Sequence, residues 1–187
     1  MTVTGVPGPD LLGLRAGVGR LYEEVFAGPP WQGAADAGGF LDRLEGDVLR
    51  PGFTAAVAFQ SGVVAGFATA WTTPIPFPVS RCHPQAGAAL GSQRTTSWLC
   101  GAREVNELAV APAARGRGAG SALLQVVTAD APGGRCWLLT PVTALHALAF
   151  YRHQGWVQAT HPAPEGAGHA VFLGPRHPAR TAVPFPI

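Results

Sequence analysis

The chain has 187 residues, of which 47% are apolar and only 13% charged, with a net charge of +2 and no lysine at all. That is long and apolar enough for one domain with a proper core, and its dispersed arginines offer no basic stripe, so a nucleic-acid partner is not expected. Three cysteines, Cys82, Cys100 and Cys136, odd in number and without C-x-x-C spacing, speak against a disulfide framework or a zinc site, so no metal and a reducing, cytoplasmic setting are expected.

The opening MTVTGVPGPD has neither a basic start nor an apolar core, and no run reaches the roughly eighteen apolar residues of a membrane span, so no membrane partner is expected. The low charge leaves apolar surface for a second copy, which fits a homodimer. Abundant Ala, Gly, Pro and Arg, with few Ile, Asn and Tyr, match the codon bias of a GC-rich bacterial source.

In chain order, a Gly/Pro-rich lead ends at Asp10, a helix-capping residue before Leu11, Leu14, Val18, Leu21, Tyr22 and Val25 at helical spacing. Gly13, Gly17 and Gly19 weaken that helix, each by about 1 kcal/mol relative to Ala, so packing must hold it. Gly28-Pro29-Pro30 stops it, a loop with Trp31 follows, and Phe40, Leu41, Leu44 and Val48 mark a second helix to about Arg50. Thr54–Gln60 and Val63–Trp71, joined by Ser61-Gly62, read as a β-hairpin. From Thr72 to Ala102 periodicity is lost among Pro74, Pro76, Pro78 and Pro84, and a loop of that length is expected to be either disordered or part of a binding site. Further on, Arg135–Thr140 reads as a buried strand, Ala144–His153 as a short helix closed by Gly155, and Trp156–Thr160 and His169–Leu173 as two last strands around a Pro/Gly turn. The tail from Gly174 reads as an irregular arm.

The stretch Glu104–Ala129 organises the rest. Val105, Leu108 and Val110 give a strand ended by Ala111-Pro112, a glycine-rich loop follows, and Ala119, Ala122, Leu123, Val126 and Val127 recur at helical spacing. Such a turn points backbone N–H groups and a helix's positive end at one spot, which suits a pyrophosphate. A Walker A loop requires a lysine. This chain has no lysine, and a dinucleotide G-x-G-x-x-G is matched only weakly, because Gly116 and Gly118 are followed by Ser121, with the last glycine at Gly120. What fits is R-x-x-G-x-G, met by Arg115, Gly118 and Gly120 directly after the strand.

That stretch resembles motif A of the GCN5-related N-acetyltransferases, the GNAT superfamily, which bind acetyl-CoA. Ala147-x-x-Phe150-Tyr151-x-x-x-Gly155-Trp156 resembles the family's closing helix. The resemblance implies a single α/β domain with the GNAT fold, a mixed central β-sheet flanked by helices in the order α-α-β-β-β-α-β-α-β-β, from about residue 10 to residue 173. It implies that Arg115, Gly116, Arg117, Gly118, Ala119, Gly120 and Ser121 hold the coenzyme pyrophosphate and that the backbone of Leu108, Ala109 and Val110 faces the thioester. The Asn that many members carry seven residues before the Tyr is Ala144 here, with His146 a nearby substitute.

Acetyl transfer to an amine needs a base for the ammonium proton, a donor to the tetrahedral oxyanion and an acid for the leaving thiolate. Tyr151, a phenol with an ordinary pKa of about 10, is the candidate acid. Glu104 and Glu107 are the candidate bases. Strand alternation points them to opposite faces, so one of them faces the substrate; Glu107 lies nearer the strand end where the acetyl group is expected. Glu23, Glu24, Trp31 and Asp36 are weaker candidates for an amine-attracting pocket. The expected acceptor is an amine of a small molecule or a peptide; the alternative is a non-catalytic acyl-CoA-binding regulatory module.

Overall fold

The structure, a computed structural model, describes residues 1–31, 36–160 and 168–183. Its frame is one mixed sheet of seven strands in the order β1-β2-β3-β4-β5-β7-β6, flanked by helices. The strands are β1 (Thr2–Val6), β2 (Thr54–Gln60), β3 (Val63–Thr72), β4 (Arg103–Val110), β5 (Cys136–Pro141), β6 (Val157–Gln158) and β7 (His169–Leu173). The helices are α1 (Gly8–Gly13), α2 (Arg15–Phe26), α3 (Ala37–Asp47), α4 (His83–Leu90), α5 (Ser92–Arg94), α6 (Ala119–Thr128) and α7 (Leu145–His153). The chain divides into two compact units, Met1–Trp71 with Val105–Ala129, and Thr72–Glu104 with Asp130–Ile187.

In the first unit β2 and β3 form the expected antiparallel hairpin, running from Thr54↔Ala70 to Gln60↔Val63. Its core joins Leu11, Val18, Leu21 and Tyr22 from the first helices to Phe40 and Leu44 from α3 and to Val57, Phe67 and Ala109 from the strands. Tyr22 and Phe40 stack with centroids 4.0 Å apart. The glycines of α2 have a packing role: a Cβ on Gly17 would lie 2.9 Å from Val64, and one on Gly19 2.9 Å from Leu41. They let the helix approach β3 and α3 closely, which offsets their low helix propensity.

The lead and the first helix depart from expectation. The Gly/Pro-rich lead is a strand, β1, paired antiparallel to β2 from Thr2↔Phe59 to Val6↔Ala55. The first helix starts at Gly8 rather than after an Asp10 cap, with proline in its first turn, and breaks at Leu14 (φ −95°, ψ 9°) before α2 begins. Proline is at home in a first turn, where its missing N–H has no intrahelical acceptor to lose. Asp36, a weaker pocket candidate in the sequence, is the N-cap of α3 and accepts from the Gly39 amide at 2.9 Å.

In the second unit β5 pairs antiparallel with β7, from Trp137↔Leu173 to Pro141↔His169, and β7 pairs with β6. Alternation divides the side chains between two faces. Trp137, Leu139, Val171 and Leu173 share one face and pack with Ala86, Leu90 and Leu99. Leu138, Thr140, Ala170 and Phe172 share the other, where Tyr151 of α7 meets Phe172 with centroids 5.9 Å apart.

The segment 72–102, expected as an irregular loop, therefore folds into α4, α5 and a π-turn at Thr95–Leu99 and supplies core residues. Pro84 opens α4 instead of breaking the chain. Deleting its interior is expected to unfold this unit, not merely to alter an acceptor Michaelis constant; a lost cooperative melting transition would show it. The tail is also less irregular than expected, with a 3-10 turn at Pro178–Ala182 behind a buried His177 that is 3.0 Å from the Trp98 carbonyl. The Pro/Gly turn at 161–167, Pro184 and Pro186 lie outside the described residues.

Candidate functional site

In the first unit β4 ends at Val110, and Pro112–Ala114 make a single 3-10 turn before the loop. Arg115 turns its Nε–H back to the Val110 carbonyl at 3.2 Å, which ties the loop to the strand it leaves. Gly116 and Gly118 have φ of 72° and 80°. A Cβ on Gly118 would meet nothing within 4 Å, so glycine is required there by backbone conformation rather than by crowding. Gly118 caps α6 in a left-handed conformation with no side-chain cap, and the first intrahelical bond formed with it runs from the Ala122 amide to the Gly118 carbonyl at 3.0 Å. The N–H groups of Ala119, Gly120 and Ser121 thus open the helix without an intrahelical acceptor. Arg115, Gly116, Arg117 and Gly118 are exposed and Gly120 and Ser121 half-buried, and a row of amides opening a helix is suited to an anion.

The second unit holds a buried polar chain. Glu104 Oε1 lies 2.9 Å from His83 Nε2, and Thr73 Oγ1 donates to Glu104 Oε2 at 3.4 Å while accepting from the Trp137 indole at 2.7 Å. His83 Nδ1 lies 2.7 Å from the Ser80 carbonyl. Both ring nitrogens therefore face acceptors, and an imidazolium opposite a carboxylate satisfies both at once. Burial, the largest single influence, opposes the charge on His83, but the Glu104 hydrogen bond and charge, with the Ser80 carbonyl, outweigh it and raise its pKa above 6.5. The stability from this pair is then complete below about pH 6.5, the unfolded value, and is lost as pH rises through the higher folded value. Denaturant midpoints of His83→Gln should lag the parent most at acidic pH and converge on it at alkaline pH.

On the other face of the second unit, Tyr151 is buried on α7, its ring 5.3 Å from Phe150, 6.0 Å from Trp156 and 5.9 Å from Phe172. Thr140 shares that sheet face, and its hydroxyl is buried without a hydrogen-bond partner. A hydroxyl so placed is the kind of group a bound ligand would satisfy. Among the described residues no cluster of His, Cys, Asp and Glu could hold a metal ion, and no helix is long and apolar enough to cross a membrane.

The model of the acetyltransferase (GNAT) domain family matches residues 51–158, which takes in the hairpin, β4, the glycine loop, α6, β5 and α7. The chain belongs to the GNAT acetyltransferase family. Solved GNAT structures share the fold. An acetyltransferase from Thermus thermophilus superposes with a TM-score of 0.61 at 16% identity, covering 92% of this chain and 96% of that one. Naa20 from Chaetomium thermophilum, solved with a bisubstrate analogue, gives 0.61 at 17% identity over 99% and 93% of the two chains. The PaiA N-acetyltransferase from Thermoplasma acidophilum, solved with coenzyme A, gives 0.56 at 12% identity over 93% and 99%. A search of curated protein sequences returned no match.

Within this GNAT chain Leu108, Ala109 and Val110 close β4 immediately before the loop, so the loop residues named from the sequence are contiguous with them in the first unit. Glu107 lies on β4 in that unit, half-buried, whereas Glu104 belongs to the second unit and is buried in its pair with His83. Ala144 is the buried N-cap of α7 and His146 is exposed on that helix. Sequence reasoning missed His83, Thr73 and Thr140. His83 and Glu104 are 21 residues apart with a segment of unexpected helices between them, so no local spacing announces their contact.

Proposed function

We propose that the chain transfers the acetyl group of acetyl-CoA to a primary amine of a small molecule or a peptide by direct attack. The observation that carries this is the β4–loop–α6 unit: a strand, left-handed Gly116 and Gly118, and an uncapped helix start, inside the region matched to the GNAT family. Arg115 to Ser121 receive the pyrophosphate on backbone N–H groups, and the end of β4 at Leu108–Val110 directs an amide at the thioester oxygen. Tyr151 protonates the departing thiolate. The N-acetyltransferase names of PaiA and the bisubstrate complex of Naa20 support an amine acceptor. The free thiols of Cys82, Cys100 and Cys136 fit a reducing cytoplasm.

Glu107 is the base in this scheme. It is half-buried and so remains in touch with solvent, through which an ammonium proton can leave, whereas Glu104 is buried and committed to a cation. Glu107→Gln is expected to lower turnover on the order of 10²-fold with coenzyme affinity little changed. Glu104→Ala is expected instead to cost about 2 kcal/mol of stability, because His83 loses its buried partner. If Glu104→Gln, not Glu107→Gln, lowers turnover on that scale in a folded protein, the two roles are exchanged. Mass detection of N-acetylated products from an amine panel tests the activity itself.

A further inference from the structure

Cys82, Gln85 and His169 form a second cluster, which the proposed transfer does not use. Cys82 is the N-cap of α4, Gln85 sits within that helix, and His169 opens β7 opposite Pro141 at the end of β5. Cys82 Sγ lies 3.4 Å from His169 Nε2, and His169 Nδ1 lies 3.0 Å from Gln85 Oε1. A carbonyl oxygen only accepts, so Nδ1 carries the ring proton and Nε2 turns its lone pair to the thiol. Nucleophile, base and orienting group thus stand in line, brought together across 87 residues of sequence. Cys82 and His169 are half-buried and Gln85 is exposed, so a small electrophile reaches the thiol, while Cys100 and Cys136 are buried.

We propose that Cys82 is a nucleophilic thiol that takes an acyl group from a thioester, with His169 as its base and Gln85 as the residue fixing that base's tautomer. In the step, the Cys82 proton passes to His169 Nε2 as Sγ bonds to the acyl carbon. The donor's carbon–sulfur bond breaks, and its departing thiolate takes the proton from His169. One thioester replaces another, and no oxidant or reductant enters. Burial raises the Cys82 pKa against the opposing pull of the Arg81 guanidinium, and burial lowers that of His169. The resting pair is therefore a thiol and a neutral imidazole, and the proton moves during attack rather than before it. The cluster requires nothing of the glycine loop, so it stands whether or not the chain binds acetyl-CoA.

The test uses S-acetyl-N-acetylcysteamine, a small soluble thioester, with peptide mapping by mass spectrometry. The expected result is one acetyl group on the Cys82 peptide, cleared by neutral hydroxylamine and formed at least about tenfold faster than on free N-acetylcysteine. His169→Gln is expected to slow it by about 10²-fold and Gln85→Ala by severalfold, with Cys100 and Cys136 unmodified. Melting curves establish that each variant folds. Should His169→Gln unfold, Gln85→Ala carries the comparison, because an exposed side chain is truncated without harm to the core. A Cys82 that stays unmodified while N-acetylcysteine reacts, or that reacts equally fast in the parent and in the folded variants, overturns the proposal.

Discussion

Replacing Tyr151 by Phe is expected to lower acetyl-transfer turnover on the order of 10²-fold while leaving coenzyme affinity nearly unchanged. Tyr151 is buried on α7 among Phe150, Trp156 and Phe172, all ring-to-ring contacts that a phenylalanine keeps. The substitution therefore removes the hydroxyl while keeping this ring packing. If that hydroxyl protonates the departing thiolate, its loss falls on turnover and not on binding, because the ground-state thioester carries no charge to stabilise. The ratio kcat/KM should fall with kcat, the signature of an interaction made in the transition state. Full turnover in the Phe variant across the pH range would remove Tyr151 from the mechanism.

Coenzyme binding should respond most to Gly120. It lies in the first turn of α6, where the helix opens with amides that have no intrahelical acceptor. A valine there is no worse a helix residue than glycine, so the fold is expected to survive. Its branched side chain would stand where a pyrophosphate must approach the backbone, and affinity for acetyl-CoA should drop by at least about 10²-fold, roughly 2.7 kcal/mol. Gly118 acts through a different cause. Its φ of 80° is strained for any residue with a Cβ, so substitution there should cost stability as well as affinity. Titration calorimetry and thermal melting of the two variants separate these effects.

Elements with strong local signals were legible in the sequence. The hairpin at Thr54–Thr72 has Val, Phe and Thr with a Ser61-Gly62 turn between its strands, and the strand–loop–helix around Gly118 has proline, glycine and helical spacing in order. Where one residue type has two meanings, the sequence misled. Pro9 falls in the Gly/Pro-rich lead and Pro84 in the segment 72–102 that loses periodicity, yet each lies in the first turn of a helix, the place where proline costs least. Thr2–Val6 was hidden because a five-residue edge strand owes its structure to its partner β2 and not to its own composition. The candidate coenzyme loop was visible because its residues are contiguous. Glu104 with His83, and Cys82 with His169, are not, and only the tertiary fold brings them together.

Catalysis of acetyl transfer is measured most directly as thiol release from acetyl-CoA in the presence of a panel of small and peptide amines. Each positive is matched to its product by mass spectrometry, and coenzyme binding is measured in parallel by calorimetry. The expected result is saturable coenzyme binding, acceptor-dependent thiol release and an equimolar N-acetylated product. Saturable binding with no acceptor-dependent product from any amine would contradict it and mark the chain as an acyl-CoA-binding module without catalysis.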